Sequence, residues 1–172
     1  MITNYKPGHK LIQRTVVKTG FMALGRAIES ASHFEDSVKH EIEDWNEGFT
    51  FTMNVLPYGP NLAMRKKNGV LKMIRLKKDE KADLIVEIKN LTTAFRMITT
   101  QMGAHHVFAQ NKIGVSGNIA DSMRFIRIVY TVEAYMFPKI LNKNILKQSP
   151  KMSLKKHINR IHIYTKGMVF GN

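Results

Sequence analysis

His105 and His106 are neighbours, and His157 and His162 stand five residues apart. Neither pair has the i, i+4 spacing that brings two imidazoles to one helical face around a metal ion. The chain holds no cysteine, which excludes disulfides, thiol nucleophiles and thiolate metal sites and agrees with a reducing compartment. Asp83 and Glu87 fall on one strand at even spacing, an arrangement more typical of a solvated face than of an acid–base pair. Gly114-Val115-Ser116-Gly117 differs from the Gly-x-Ser-x-Gly nucleophile elbow, and neither phosphate-binding glycine loop occurs. These residues predict a protein that is not an enzyme and uses no metal or cofactor.

Charge is the other chemistry-bearing property. The 27 Lys and Arg outnumber the 13 Asp and Glu, for a formal net charge of +14 over 172 residues. The charge is segregated: no acid precedes Glu29, none follows Glu133, and seven acids crowd positions 29–47 against Lys39 alone. Arg65, Lys66, Lys67, Lys72, Arg75, Lys77 and Lys78 cluster in one expected hairpin and just after it. Such a field attracts anionic partners such as a membrane surface or an acidic protein; equally, the same lysines keep a lipid binder soluble. Aromatic residues are not interleaved with the basic run, as base stacking would require, so no specific nucleic acid is expected.

The elements that must position these groups follow from periodicity. Leu11, Ile12, Val16, Val17, Phe21, Leu24 and Ile28 mark an amphipathic helix over 10–31, weakened at Gly20 and Gly25. Ser32 with Glu35 has the spacing of a capping box for a second helix carrying Phe34, Val38, Ile42 and Trp45. From Phe49 the period becomes two, predicting a strand to Val55 with one buried face. A turn at 57–60 leads to a strand over 61–67; Asn68-Gly69 then predicts a type I′ hairpin into a strand over 70–76. A strand over 82–88 completes four consecutive, mostly antiparallel strands. A helix over 91–102 stopping at Gly103, a helical turn over 104–110, a strand over 112–116 and a long helix capped by Asn118 and running to Phe137 follow. The whole reads as a single domain over 1–172, with its core at about 32–141 and a basic extension over 142–172.

No apolar stretch reaches the ~18–20 residues that span a bilayer, and residues 1–8 lack the layout of a secretory signal. A cytoplasmic protein is expected.

The ordered pattern from Asp83 to Val129 resembles the sterol carrier protein family. It comprises the aspartate-led strand Asp83-Leu84-Ile85-Val86, the striped helix from Leu91 to Gly103, the run Val107-Phe108-Ala109-Gln110-Asn111-Lys112-Ile113-Gly114-Val115-Ser116-Gly117-Asn118, and Ala120-Asp121-Ser122-Met123. Asn111 replaces the usual glycine before the lysine, and asparagine also tolerates the left-handed region. The resemblance implies an α+β fold in which a five-stranded, largely antiparallel sheet is covered by helices, with an apolar cavity between the two layers. It implies non-catalytic binding or transfer of an apolar ligand: fatty acyl, phospholipid, isoprenoid or sterol-like. Family members also act as accessories in quinone biosynthesis. On this basis Phe95, Met97, Met102, Phe108, Ile113, Val115, Met123, Phe125, Ile126, Tyr130 and Met136 are expected to line the cavity, with one of the adjacent pair Phe125 and Ile126 facing inward. The competing expectation is an accessory protein that docks on an anionic membrane or partner enzyme through the basic hairpin; the partner set also admits a homodimer.

Overall fold

Phe51, Met53 and Val55 alternate with Thr50, Thr52 and Asn54 in β1 (Thr50–Val55), which occupies the centre of the sheet. The computed structural model describes residues 10–77 and 80–136, without the side chains of residues 104, 105 and 136. Expectations for Lys78, residue 137 and the extension over 142–172 lie outside the described residues.

On one side β1 pairs antiparallel with β2 (Asn61–Lys67), which pairs antiparallel with β3 (Val70–Ile74). The connecting Asn68 and Gly69 have φ of 54° and 75°, as a type I′ turn requires. On the other side β1 runs parallel to β4 (Leu84–Ile88), which pairs antiparallel with β5 (Ile113–Ser116). The sheet is largely antiparallel as expected, but its order β3-β2-β1-β4-β5 places β4 on the far side of β1, so the four consecutive strands do not lie side by side in chain order. Asp83 fixes that placement: its carboxylate accepts from Thr50 N at 2.8 Å while its own N–H donates to Thr50 O at 2.8 Å.

The edge of β3 is occupied by α1 (Leu11–Phe34), 24 residues and so about 36 Å long. Its buried stripe is Val17, Phe21, Leu24, Ala27, Ile28 and Ala31. The capping box does not form, because Ser32 remains inside α1. Its Oγ donates to Glu29 O at 2.6 Å and accepts from Leu71 N at 3.1 Å, satisfying an edge-strand donor. Glu35 is the extended residue between α1 and α2 (Asp36–Glu43), and its carboxylate accepts from Ser37 Oγ at 2.9 Å and Tyr135 Oη at 2.5 Å. The two glycines of α1 permit close approach. A Cβ on Gly20 would lie 2.4 Å from Ile98 Cγ2, and one on Gly25 would lie 2.7 Å from Met73 Sδ.

α3 (Leu91–Ile98) is capped by Asn90, whose Oδ1 accepts from Thr93 N at 2.8 Å. It ends before the expected Gly103, where Thr100 turns to φ 60° and Met102 N reaches back to Arg96 O. α4 (Ala104–Ala109) leads through Asn111, at φ 51°, into β5. α5 (Ile119–Met136) begins at Asn118, whose Oδ1 accepts from Ala120 N at 2.8 Å. The acids of α2 face the arginines of α5: Arg127 donates twice to Glu41 at 2.6 and 2.8 Å, and Arg124 pairs with Asp44. Hydrogen bonding to Arg127 holds the Glu41 carboxyl below its usual range. Trp45 Nε1–H donates to Asp121 Oδ1 at 2.9 Å. Among the described residues no helix is long and apolar enough to cross a membrane.

The register puts Phe51, Met53, Val55, Leu62, Met64, Leu71, Leu84, Val86, Ile88 and Ile113 on one face of the sheet, and all are buried in the core. β1 is buried on its other face as well: Thr50 and Thr52 are 2% and 6% exposed. Arg65 reaches over that face, its Nε donating to Thr50 Oγ1 at 2.9 Å.

Candidate ligand cavity

Between the apolar face of the sheet and the helices α1, α3 and α5 lies a cavity of about 210 Å³. Met53, Val86, Ile88 and Ile113 come from strands; Gly20, Phe21 and Leu24 from α1; Ala94, Met97 and Ile98 from α3; Phe108 from α4; and Phe125, Ile126, Val129, Tyr130 and Glu133 from α5. Strand alternation supplies one flat wall. The α5 wall repeats at steps of three and four residues, a single helical stripe. Ala94 carries little bulk there, and Gly20 lets the Ile98 side chain of α3 pack directly on the α1 backbone.

The depth is graded. Phe21, Leu24, Met53, Val86, Ile88, Ala94, Ile113 and Phe125 are buried, whereas Met97, Ile98, Ile126, Val129, Tyr130 and Glu133 are half-buried and Phe108 is exposed. Phe125 is held edge-on against Phe51, ring centroids 5.0 Å apart. Glu133 is the single carboxylate in the wall. Its Oε2 is buried without a hydrogen-bond partner, and burial pushes its carboxyl up to about 7. Burial, and then the neighbouring Glu133 charge, raises the Tyr130 phenol.

Six of the eleven residues expected to line the cavity stand on its wall: Met97, Phe108, Ile113, Phe125, Ile126 and Tyr130. Phe125 and Ile126 both do so, where one was expected, because the cavity spans the roughly 100° between adjacent helical positions. Phe95 and Met102 pack against the core but away from the wall. Val115 shares the sheet face of Ile113 and Val86 but lies beyond the wall, and Met123 is also off it; they are 37% and 49% exposed. The side chain of Met136 lies outside the described residues. Sequence reasoning missed the α1 residues and Met53, Val86 and Ile88 of β1 and β4, although both were legible as apolar stripes in need of a partner. It also missed Glu133, whose only signal was its place one turn beyond Val129 and Tyr130.

The basic hairpin is less free than its sequence implies. Lys66 is buried, donating from Nζ to the carbonyls of Ile42, Glu43 and Trp45 at 2.9, 3.2 and 2.6 Å. An ammonium has three donors, and the last carbonyls of α2 lack helical partners, so this lysine closes the helix and is no surface contact. Arg65 pairs with Glu80, and Lys72 with Glu29 at 3.0 Å. Lys67, Arg75 and Lys77 are exposed. Arg65, Arg75 and Lys77 share a shallow groove of about 530 Å³ with Ile74 and Glu80.

No family model and no curated protein matches the chain. Among solved structures it is similar to the UbiJ-SCP2 ubiquinone synthesis protein, at 12% identity and a TM-score of 0.46, over 69% of this chain and 96% of that one. It is similar to the sterol carrier protein domain 2 of Helicoverpa armigera, at 17% identity and a TM-score of 0.46, over 63% of this chain and 84% of that one. Sterol carrier protein 2 from Yarrowia lipolytica in its apo form is similar at 15% identity and a TM-score of 0.41, over 63% of this chain and 87% of that one.

Proposed function

We propose that this chain is a non-catalytic, cytoplasmic carrier that binds an apolar lipid-like ligand in the cavity between sheet and helices. The observation that carries the reading is an apolar void with a single carboxylate in its wall. An enclosed empty void of about 210 Å³ costs a fold about 5 kcal/mol in lost packing, at ~24 cal/mol per Å³, which is the upper bound for this partly open cavity. That is a large part of the ~5–15 kcal/mol by which domains are stable, and an apolar occupant recovers it. At ~30 Å³ per small group the space suits roughly seven methylenes. Each contributes ~0.8 kcal/mol, so a chain enclosed by this cavity alone binds with a Kd on the order of 0.1 mM. Such affinity suits exchange more than storage. Native mass spectrometry of the purified protein, with extraction of any bound lipid, is expected to reveal an acyl or isoprenoid species. An empty protein that also fails to bind added eight-carbon amphiphiles would remove the proposal.

A second reading, docking on an anionic membrane, is favoured by the groove that holds Arg75 and Lys77. It predicts salt-sensitive binding to phosphatidylserine vesicles. That binding is lost when Lys67, Arg75 and Lys77 are replaced together by Gln, while ligand uptake persists.

A further inference from the structure

Glu133 is out of place in a wall built for hydrocarbon. It lies on the same helical stripe as Phe125, Ile126, Val129 and Tyr130, and the eight residue steps from Phe125 to Glu133 span about 12 Å along α5. One end of the α5 wall is therefore aromatic and deep, and the other carries a carboxyl. Its Oε2 is buried without a partner, a condition that costs a fold and is relieved when something supplies a hydrogen bond. Among the described wall residues, only Tyr130 besides Glu133 carries a side-chain oxygen or nitrogen.

We infer that Glu133 is the head-group contact of this cavity, and that the chain takes an apolar ligand ending in a hydroxyl in preference to one ending in a carboxylate. The inference rests on the cavity being a ligand site. A hydroxyl both donates and accepts, so it satisfies Glu133 as carboxylate or as carboxylic acid. A ligand carboxylate instead brings a second negative charge against the first inside a poorly solvated space. Burial alone accounts for the raised proton affinity of Glu133, and among the described residues no cation pairs with it to offset that repulsion.

The test is a titration of the full chain, carrying [13C-methyl]methionine, with 1-octanol and with octanoate at pH 8.5. At that pH Glu133, pushed up to about 7, is ionised. Met53 and Met97 on the wall are the reporters, and exposed Met22 and Met123 are the controls. In the wild type, octanol is expected to move the two wall methyls at about tenfold lower concentration than octanoate. Glu133→Gln keeps a donor and acceptor but removes the charge. Octanoate is then expected to gain about tenfold and octanol to stay within about threefold. Glu133→Leu, which suits the apolar surroundings, is expected to weaken octanol about tenfold. Equal response to both ligands in the wild type, or discrimination that survives in Glu133→Gln, overturns the head-group role while leaving the cavity a ligand site. If neither ligand moves Met53 or Met97, the carrier reading falls and this inference with it.

Discussion

Replacing Glu133 by Gln should change how stability depends on pH, and the size of the change follows from the burial of one carboxyl. Its ordinary value of 4.5 is pushed up to about 7 in the folded chain, by desolvation. Between those two values the folded state holds a proton that the unfolded state has released, so stability falls as pH rises through this window and is flat above it. At ~1.36 kcal/mol per pH unit, the wild type loses about 2–3 kcal/mol from this group between pH 5 and pH 8. The amide is the same size and does not titrate. Other titrating groups, including His33, whose pKa burial and then Lys72 hold down, are common to both proteins and cancel in the difference. Urea unfolding of the ligand-free proteins, followed by the fluorescence of Trp45 at both pH values, reads that difference directly. The variant should gain about 2–3 kcal/mol relative to wild type on going from pH 5 to pH 8, a midpoint shift of about 1–2 M urea. A difference that stays constant between the two pH values would show that Glu133 is solvated and that the buried-carboxyl argument is wrong.

Filling the wall at Ala94, which is fully buried, with Phe should abolish the octanol-induced shifts of Met53 and Met97. Any stability change should be the ~1–3 kcal/mol of overpacking, read by the same unfolding curves. Lys66→Met keeps the buried stem but removes the ammonium from the carbonyls of Ile42, Glu43 and Trp45, of which Ile42 O also accepts from Trp45 N; a loss of about 2–4 kcal/mol is expected, and a thermal midpoint within a degree of wild type would refute the capping role. Gly20→Ala gains about 1 kcal/mol of helix propensity but places Cβ 2.4 Å from Ile98 Cγ2. The net effect should be destabilising, with Ile98 displaced into the cavity and octanol binding weakened in the same methyl titration.

The local signals in the sequence were read well where one residue type answers one geometric demand. Asn68-Gly69 turns a hairpin because both residues adopt positive φ, and Asn118 starts α5 because its side chain reaches a free N–H. Ser32 and Glu35 show where such reading fails. The pair has capping spacing, but each side chain is drawn to a distant partner, Leu71 N and Tyr135 Oη, and no local rule registers those. The parallel pairing of β1 with β4 was equally invisible, since it depends on Asp83 meeting Thr50 across 33 positions. Roughly half of the expected cavity wall was legible, because a helical stripe announces which residues face inward. The opposing residues of β1 and β4, and the one acid on α5, could be placed only once the layers were stacked.

Ser32 and Glu29 on α1 also govern how this protein can fail. The outward N–H of Leu71 donates to Ser32 Oγ at 3.1 Å, and that of Met73 to Glu29 Oε2 at 3.4 Å. The helix thus consumes the pairing capacity of the β3 border, where the segment Val70–Ile74 is apolar and strand-prone. The opposite border, β5, offers only four residues. Detachment of the C-terminal half of α1, long before global unfolding, would expose a ready template for cross-molecular strand addition. Agitation-induced fibrils should accordingly nucleate faster when Ser32 and Glu29 are weakened, even in variants whose equilibrium stability is preserved.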